Sequence, residues 1–267
     1  LTMEDVQAAA DHRGIAIDYA GIEGLSYPIT VPLRDGGKQE TVATIAAAAG
    51  VLHTDRGTHM SRFIEALHDH AGDLSTKHAI AFLEDLRRRL HTDRARLTVD
   101  HELFLTRRAP VSDAPSLMGY PCSFTATADG DRLDLELTST TWVQTVCPCS
   151  KAISDYGAHN QRSKVDIAIR PRATDGLFAT VWFEDLIDLA EAAGSAPLYA
   201  LLKRPDERYV TMQAYDNPVF VEDVVRHIAT TLDASAEMAS YSIRVVSDDS
   251  IHRHNAVAEL SSTSRSM

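Results

Sequence analysis

Cysteine is scarce in this 267-residue chain, three in all, and two of them, Cys147 and Cys149, stand one proline apart. So few thiols exclude a disulfide framework, and that pair is too close to bridge without strain. A second Cys-x-Cys or Cys-x-x-Cys is missing as well, which weakens a closed structural zinc knuckle, since that needs a fourth ligand at similar spacing. Apolar runs are short: none approaches the roughly 20 residues that cross a bilayer. The stretch "LTMEDVQAAADHRG" carries acidic residues where the apolar region of a secretory signal would stand. Leu1 is no initiator, so a native N-terminus reaching further is expected, in a cytoplasmic protein. An excess of basic charge is also lacking. The net charge of −12 argues against broad binding to nucleic acid or to an anionic membrane, and neither is expected as a partner. A small anionic substrate remains compatible, because Lys203, Arg204 and Arg208 form a local basic cluster.

What is present reads as an ordinary globular chain, 44% hydrophobic and 24% charged, long enough for one large domain or two modest ones. Residues 28–34 and 40–53 are extended around the turn "RDGGK", a predicted hairpin. Two helices follow, with Met60, Phe63, Ile64 and Leu67 on one stripe and Ala79, Phe82, Leu83, Leu86 and Leu90 on the next. Ser75 or Thr76 would cap the second. "RLTVDHELFL" alternates as a half-buried strand, and "RRAPVSDAPSLMGYP" reads as a loop and module boundary. Asp129-Gly130 marks a second hairpin, and Val165, Ile167 and Ile169 a further strand. "FEDLIDLAEAAG" is a helix closed by Gly194. In "NPVFVEDVVRHIATTL", Asn217 would cap a helix with Pro218 at its first position. "SYSIRVV" is a strand, and "LSSTSRSM" a mobile tail. Strands and helices are grouped rather than alternating, so an α+β fold with antiparallel sheets is favoured.

Several stretches carry candidate chemistry. In "TVCPCSKAISDYGAHNQRS", Cys147 and Cys149 are two positions apart in a segment read as extended, so both sulfurs would look into one site, and Gly157 would turn His159 back towards them. A lone Cys122 reads as a buried apolar thiol. Thiolate, imidazole and carboxylate suit zinc or a related divalent ion, and three protein ligands would leave one position for water. The plain alternatives are a structural knuckle or ordinary buried cysteines. Asp206 and Glu207 lie in a charged turn before a predicted strand at Tyr209–Met212, a solvated loop on charge pattern alone. Glu222 sits on the flank of its helix's apolar stripe, as a surface carboxylate or as a bidentate acceptor for a purine N–H edge. His252 and His254 share a face if extended, for acid–base work or as tail histidines. Gly57, Thr58 and His59 begin a helix; with Arg62 they would receive a phosphate, or Thr58 simply caps.

Taken together and in order, "RGTHMSRF", "CPCSKAISDYGAHNQRS", "LLKRPDERYVT" and "NPVFVEDVVR" resemble the prokaryotic GTP cyclohydrolase type IB family over nearly the whole chain. The resemblance implies a tunnelling fold of two tandem ββααββ-type modules, residues 1–113 and 114–267. It implies a homotetramer with shared active sites and conversion of GTP and water to 7,8-dihydroneopterin triphosphate and formate, the entry to folate synthesis. By the same resemblance Cys147, His159 and Glu207 hold zinc or manganese, Cys147, Cys149 and His252 match catalytic positions, and Glu222 matches the guanine anchor. His59, Arg62, Lys151, Arg162 and Lys203 are candidates for holding the rest of the nucleotide. An archaeal-type enzyme yielding a cyclic phosphate, or a non-catalytic purine- or metal-binding protein of the same fold, is the alternative.

Overall fold

A computed structural model describes residues 7, 10–70 and 74–262. The chain divides into two compact units, Leu1–Glu102 with Ser123–Glu136, and Leu103–Cys122 with Leu137–Met267. The 113/114 boundary read from the sequence falls in the short link between two strands, whereas the compact units divide inside strands. Among the described residues no helix is long and apolar enough to cross a membrane.

In the first unit, β1 (Ile17–Pro32) and β2 (Lys38–Val51) form the expected antiparallel hairpin, and β2 pairs with β3 (Arg94–Arg108), Ala43 opposite His101. The inward face of β2 is small (Ala43, Ala47, Ala49 beside Ile45), and α1 (Met60–His70) and α2 (Ala79–Leu90) supply the bulk. Phe63, Leu67, Phe82, Leu83 and Leu86 are all fully buried; each contributes on the order of 1.5–3 kcal/mol by leaving water. The stripe expected on α1 is narrower than read, because Met60 and Ile64 stay exposed and Ala66 is buried instead. Neither Ser75 nor Thr76 is the cap of α2. His78 holds that position, and the Ser75 carbonyl accepts from the His78 and Ala79 amides.

His101 lies among these apolar residues with 6% of its surface exposed. Burial pushes its pKa down to about 4, against a small opposing effect of Asp100. The unfolded chain therefore takes up a proton that the native chain refuses between about pH 6.5 and 4, and stability falls with pH across that window, by at most about 3 kcal/mol. Urea unfolding of the His101→Leu variant is expected to lose this pH dependence; an unchanged slope would count against it.

Each of β3, β4 (Pro115–Asp129) and β5 (Arg132–Val146) contributes one end to each unit. The segment 107–121, read as a loop, is mostly strand: only residues 109–114 are irregular. In the second unit follow α3 (Pro148–Ile153), β6 (Asn160–Pro171), a small ribbon of β7 (Ala173–Thr174) and β8 (Leu177–Phe178), α4 (Phe183–Ala193), β9 (Ala196–Pro197), α5 (Arg204–Asp216), α6 (Val221–Asp233), β10 (Met238–Ser247) and β11 (Ala256–Ser262). Antiparallel pairing runs β5, β6, β10, β11, with β9 beside β5. Helices α4 and α6 pack together, and Val221, Val224, Val225, Ile228 and Leu232 of α6 are buried as its spacing predicts.

Several local readings need correction. Tyr209–Met212 is helix, not strand: Pro205 and Asp206 sit in the first turn, and the buried positions Val210 and Ala214 are four apart, a helical period. Asn217 ends α5 rather than capping α6, its side-chain amide donating to the Gly194 carbonyl at 3.1 Å. The cap of α6 is Phe220, whose N–H is taken by the Asp223 carboxylate at 3.1 Å. Gly194 does close α4, but in an extended conformation; it is needed because a Cβ there would stand 2.7 Å from the Val143 side chain. The expected tail begins inside β11, which runs to Ser262; residues 263–267 lie outside the described residues.

Candidate active site

The end of β5 is where the sheet gives way to the Cys-Pro-Cys stretch. The Cys147 amide donates to the His159 carbonyl at 3.1 Å, extending the β5–β6 pairing by one step. Pro148 then opens a helix, because its missing N–H costs nothing at that position. The two sulfurs therefore do not share the face of a strand, as the extended reading expected. Cys147 is the N-cap of α3, half-buried, its sulfur accepting from the Ser150 amide at 3.4 Å; Cys149 lies exposed in the first turn. Ser150 locks the lip: its hydroxyl donates to the Cys147 carbonyl and accepts from the His159 amide, both at 3.1 Å. Gly157, at a φ of 83°, makes the turn that returns the chain to His159. Cys122 is the buried thiol expected.

Chain neighbours of three candidates meet in one small apolar cluster. Val146, Val210, Ala196 and Ala214 are buried together, with Ala158, Tyr199 and Leu202 packed against them. Val146 precedes Cys147, Ala158 precedes His159, and Val210 lies one turn after Glu207, which is exposed in the first turn of α5. The Val219 amide donates to the Val146 carbonyl at 3.1 Å, tying the start of α6, and the exposed Glu222 in its first turn, to the same strand end.

The turn between β10 and β11 supplies the next wall. Ser250 Oγ stands 3.3 Å from Nδ1 of His159. Asp249 accepts from the Ile251 and His252 amides at 2.8 and 2.7 Å and faces His252 Nδ1 at 3.2 Å. Those bonds, the Ile251 amide foremost, hold the Asp249 carboxyl down at about 2, so it is ionised and directs the Nδ1 proton of His252 to itself. His252 and His254 do come together, though through a bend rather than a strand, their rings stacked 5.2 Å apart. Asp249 and Ser250 escaped the sequence reading. The signal was there in Asp249, since an aspartate two residues before its bonded amide is Asx-turn chemistry.

The basic candidates are partly engaged. Lys151 Nζ donates to the Tyr215 carbonyl at 2.5 Å and lies 4.2 Å over that ring, so it holds α3 to α5. Arg62 donates to the Arg89 carbonyl at 2.6 Å, securing the last turn of α2; with His59, Thr58 and His91 it lines a cavity of about 190 Å³ in the first unit. Lys203 and Arg162 are exposed, and the Lys203 amide donates to Asp206 at 2.9 Å. Asp206, read as solvated, is wholly buried. Among the described residues no three His, Cys, Asp or Glu side chains stand close enough together to hold a metal ion.

Comparison with known proteins supports the resemblance. The family described as type I GTP cyclohydrolase folE2 matches residues 3–258. Proteins named GTP cyclohydrolase FolE2 from Nitrosococcus oceani (42% identical, covering 96% of this chain and 94% of that protein) and Methylococcus capsulatus (43%, 97% and 94%) are similar throughout. So is the FolE2 of Fervidobacterium nodosum, 42% identical over 97% of each chain. In solved structures the backbone resembles uricase from Arthrobacter globiformis (TM-score 0.52, 10% identity, 93% of each chain) and urate oxidase from Bacillus sp. TB-90 (0.55, 9%, 92% and 100%). At such low identity these two establish the fold alone, an α+β tunnelling fold. With four motifs in order and full-length relatives at this identity, the chain belongs to the FolE2-type family of type I GTP cyclohydrolases.

Proposed function

We propose that this chain converts GTP and water to 7,8-dihydroneopterin triphosphate and formate at the lip formed by Cys147, His159 and the 248–255 turn, as the first step towards folate. The observation that carries it is the pinning of His159 from two sides, by the Cys147–Ser150 lock and by Ser250 beside its ring. Cys147, His159 and Glu207 do not stand within reach of a single ion here and would hold a divalent ion once drawn together; thiolate, imidazole and carboxylate are a donor set that suits zinc or manganese. When bound, such an ion lowers the pKa of a water from about 15.7 to about 7 and so supplies hydroxide at neutral pH.

The protein's own groups do the rest. Glu222 accepts the N1–H and amino protons of guanine, which fixes C8 at the lip. His252, its Nδ1 side taken by Asp249, presents Nε2 as the acid that protonates the imidazole-ring nitrogen while C8 becomes tetrahedral. As the C8–N9 bond opens, His252 takes the proton of the C8 hydroxyl and passes it to the leaving N9, and a second water then hydrolyses the formamide to release formate. Cys149, exposed beside the lip, is a second proton carrier. Lys203 and Arg162 lie on the same unit and are candidates for holding the triphosphate, with Lys151 reachable once it leaves Tyr215; His59 and Arg62 are the phosphate candidates of the first unit. The subunits form a cytoplasmic homotetramer with shared sites. Ile153 and Tyr156, 84% and 90% exposed beside the lip, support a neighbour closing over it.

The test is formate release and oxidised-pterin fluorescence from GTP after loading with Zn²⁺ or Mn²⁺. No formate would return the protein to a purine- or metal-binding role, and a cyclic phosphate product would mark the archaeal-type reaction. Glu222→Gln is expected to weaken GTP saturation roughly 10- to 100-fold through loss of a charge-assisted bidentate contact, with metal content unchanged. Unaltered saturation would remove Glu222 from the guanine site.

A further inference from the structure

We infer that the buried hydroxyls of Thr145, Ser163 and Ser247 are a positioning device for the lip. Ser163 is the link that keeps the strand ends carrying Cys147, His159 and the 248–255 turn in one alignment. All three side chains are completely buried. They lie on adjacent strands, β5, β6 and β10, each at the fully buried inward position nearest the lip. Ser163 stands opposite Ser247 in the β6–β10 register and is hydrogen-bonded to it, and its Oγ is also 2.7 Å from Thr145 Oγ1. A serine has one O–H, so Ser163 donates in one of these bonds and accepts in the other. The site is a few residues away on every strand. Thr145 is two before Cys147, Ser163 four after His159, and Ser247 two before Asp249 and three before Ser250.

Filling this layer does not require hydroxyls. One step further into the sheet stand Val143, Val165 and Val245, all completely buried. Aliphatic side chains would pack the layer beside the lip as well, and would bury no polar atom. Nor are bonded hydroxyls the habit of β5. Ser139 and Thr141, deeper in the same strand, carry buried hydroxyls without a hydrogen-bond partner among the described residues. What a bonded chain adds is direction. It fixes the height of one strand end against the next, whereas apolar packing tolerates a small slip. The backbone closes the same layer on both sides of β6. The Cys147 amide donates to the His159 carbonyl, and the Asp248 amide to the Arg162 carbonyl at 2.9 Å. The contact between His159 Nδ1 and Ser250 Oγ joins two of these strand ends and depends on their relative height.

The inference rests on the proposal that this lip binds metal and GTP, and the experiment separates the two. Three variants of the full chain are compared with wild type. The readouts are melting temperature, affinity for Co²⁺ without GTP, and kcat and KM for GTP after loading with Zn²⁺ or Mn²⁺. Thr145→Ser keeps the hydroxyl and loses a methyl group from the core. It should melt lower than wild type, yet bind Co²⁺ and turn over within a few-fold of it. Thr145→Val keeps the shape and loses the bond, and the triple variant Thr145→Val/Ser163→Ala/Ser247→Ala removes the whole chain. Both should melt close to wild type, because neither leaves one of these hydroxyls buried without a partner. Both should nonetheless bind Co²⁺ more weakly and lose kcat about ten- to a hundredfold, with KM changed only a few-fold. A purely structural role predicts the opposite order, with activity following the melting temperature. That order, or wild-type Co²⁺ affinity and kcat in the triple variant, overturns the inference. Wild type that releases no formate, while the variants keep the expected order of Co²⁺ affinities, overturns the GTP reading instead.

Discussion

Replacing Cys147 by alanine is expected to remove both bound metal and turnover while leaving the fold intact. The argument begins with what the sulfur does structurally. As the cap of α3 it accepts one amide hydrogen bond, at 3.4 Å, a long contact to a weak acceptor. The bonds that pin the lip use the Cys147 backbone instead: its amide to the His159 carbonyl, and its carbonyl from the Ser150 hydroxyl and Lys151 amide. Alanine keeps all three, so the loss of stability should stay near the low end of cap deletions, about 0.5 kcal/mol. Loss of the proposed thiolate ligand would be far larger in effect. Without the several kcal/mol that a Lewis acid supplies to the transition state, rates should fall roughly a thousandfold or more. Metal content by mass spectrometry, formate release and a melting curve make the test together. Stoichiometric metal in the alanine variant would exclude Cys147 as a ligand, whatever happens to the rate. Cys149→Ala provides the contrast, because it should keep the metal and lose only rate.

The candidate residues stand out in the sequence by type, whereas their local structure does not. Strands and helices with a clear period, such as β2, β3 and α6, were read correctly because burial alone sets their pattern. The errors cluster where capping overrides pattern. In α5 the β-favouring run "YVT" reads as a strand, yet Pro205 and Asp206 in the first turn and the four-residue spacing of Val210 and Ala214 make it helical. At Cys147 the alternation suggested by Cys-Pro-Cys was cancelled by Pro148, whose fixed φ and absent N–H are equally suited to a helix start. Asp206 was read as solvated because it sits between charges, and nothing local announced that four donors would enclose it. Its partners Val111 and Ser112 are more than ninety positions away, and only the folded chain brings them together.

Asp206→Asn carries the largest stability effect expected from one substitution near the site. The carboxylate is fully buried and accepts from the Val111 amide (2.8 Å), the Ser112 amide (2.8 Å), the Ser112 hydroxyl (2.7 Å) and the Lys203 amide (2.9 Å). Burial raises its pKa, but the bonds from Ser112, Lys203 and Val111 outweigh that and hold the carboxyl far below the usual range. Asparagine offers one acceptor oxygen in place of two, and turns its NH₂ towards groups that are themselves donors. The link at 109–114 should loosen from the start of α5, with a melting temperature lower by several degrees. Glu207, the proposed carboxylate ligand, is the next residue, so metal affinity should fall with the loosened turn even though no proposed ligand has been changed. The sign of the pH dependence separates this from the histidine effect. A carboxyl with a depressed native pKa gives stability that is fully present above its unfolded value near 3.9 and is lost only as pH falls through the native value. The gap between wild type and Asp206→Asn should therefore be constant from about pH 5 to 8. Both proteins should meanwhile share the decline below pH 6.5 that His101 imposes. Melting curves across that range, with metal titrations at pH 7, decide it: a variant that melts with wild type would mean the four bonds hold nothing that water cannot replace.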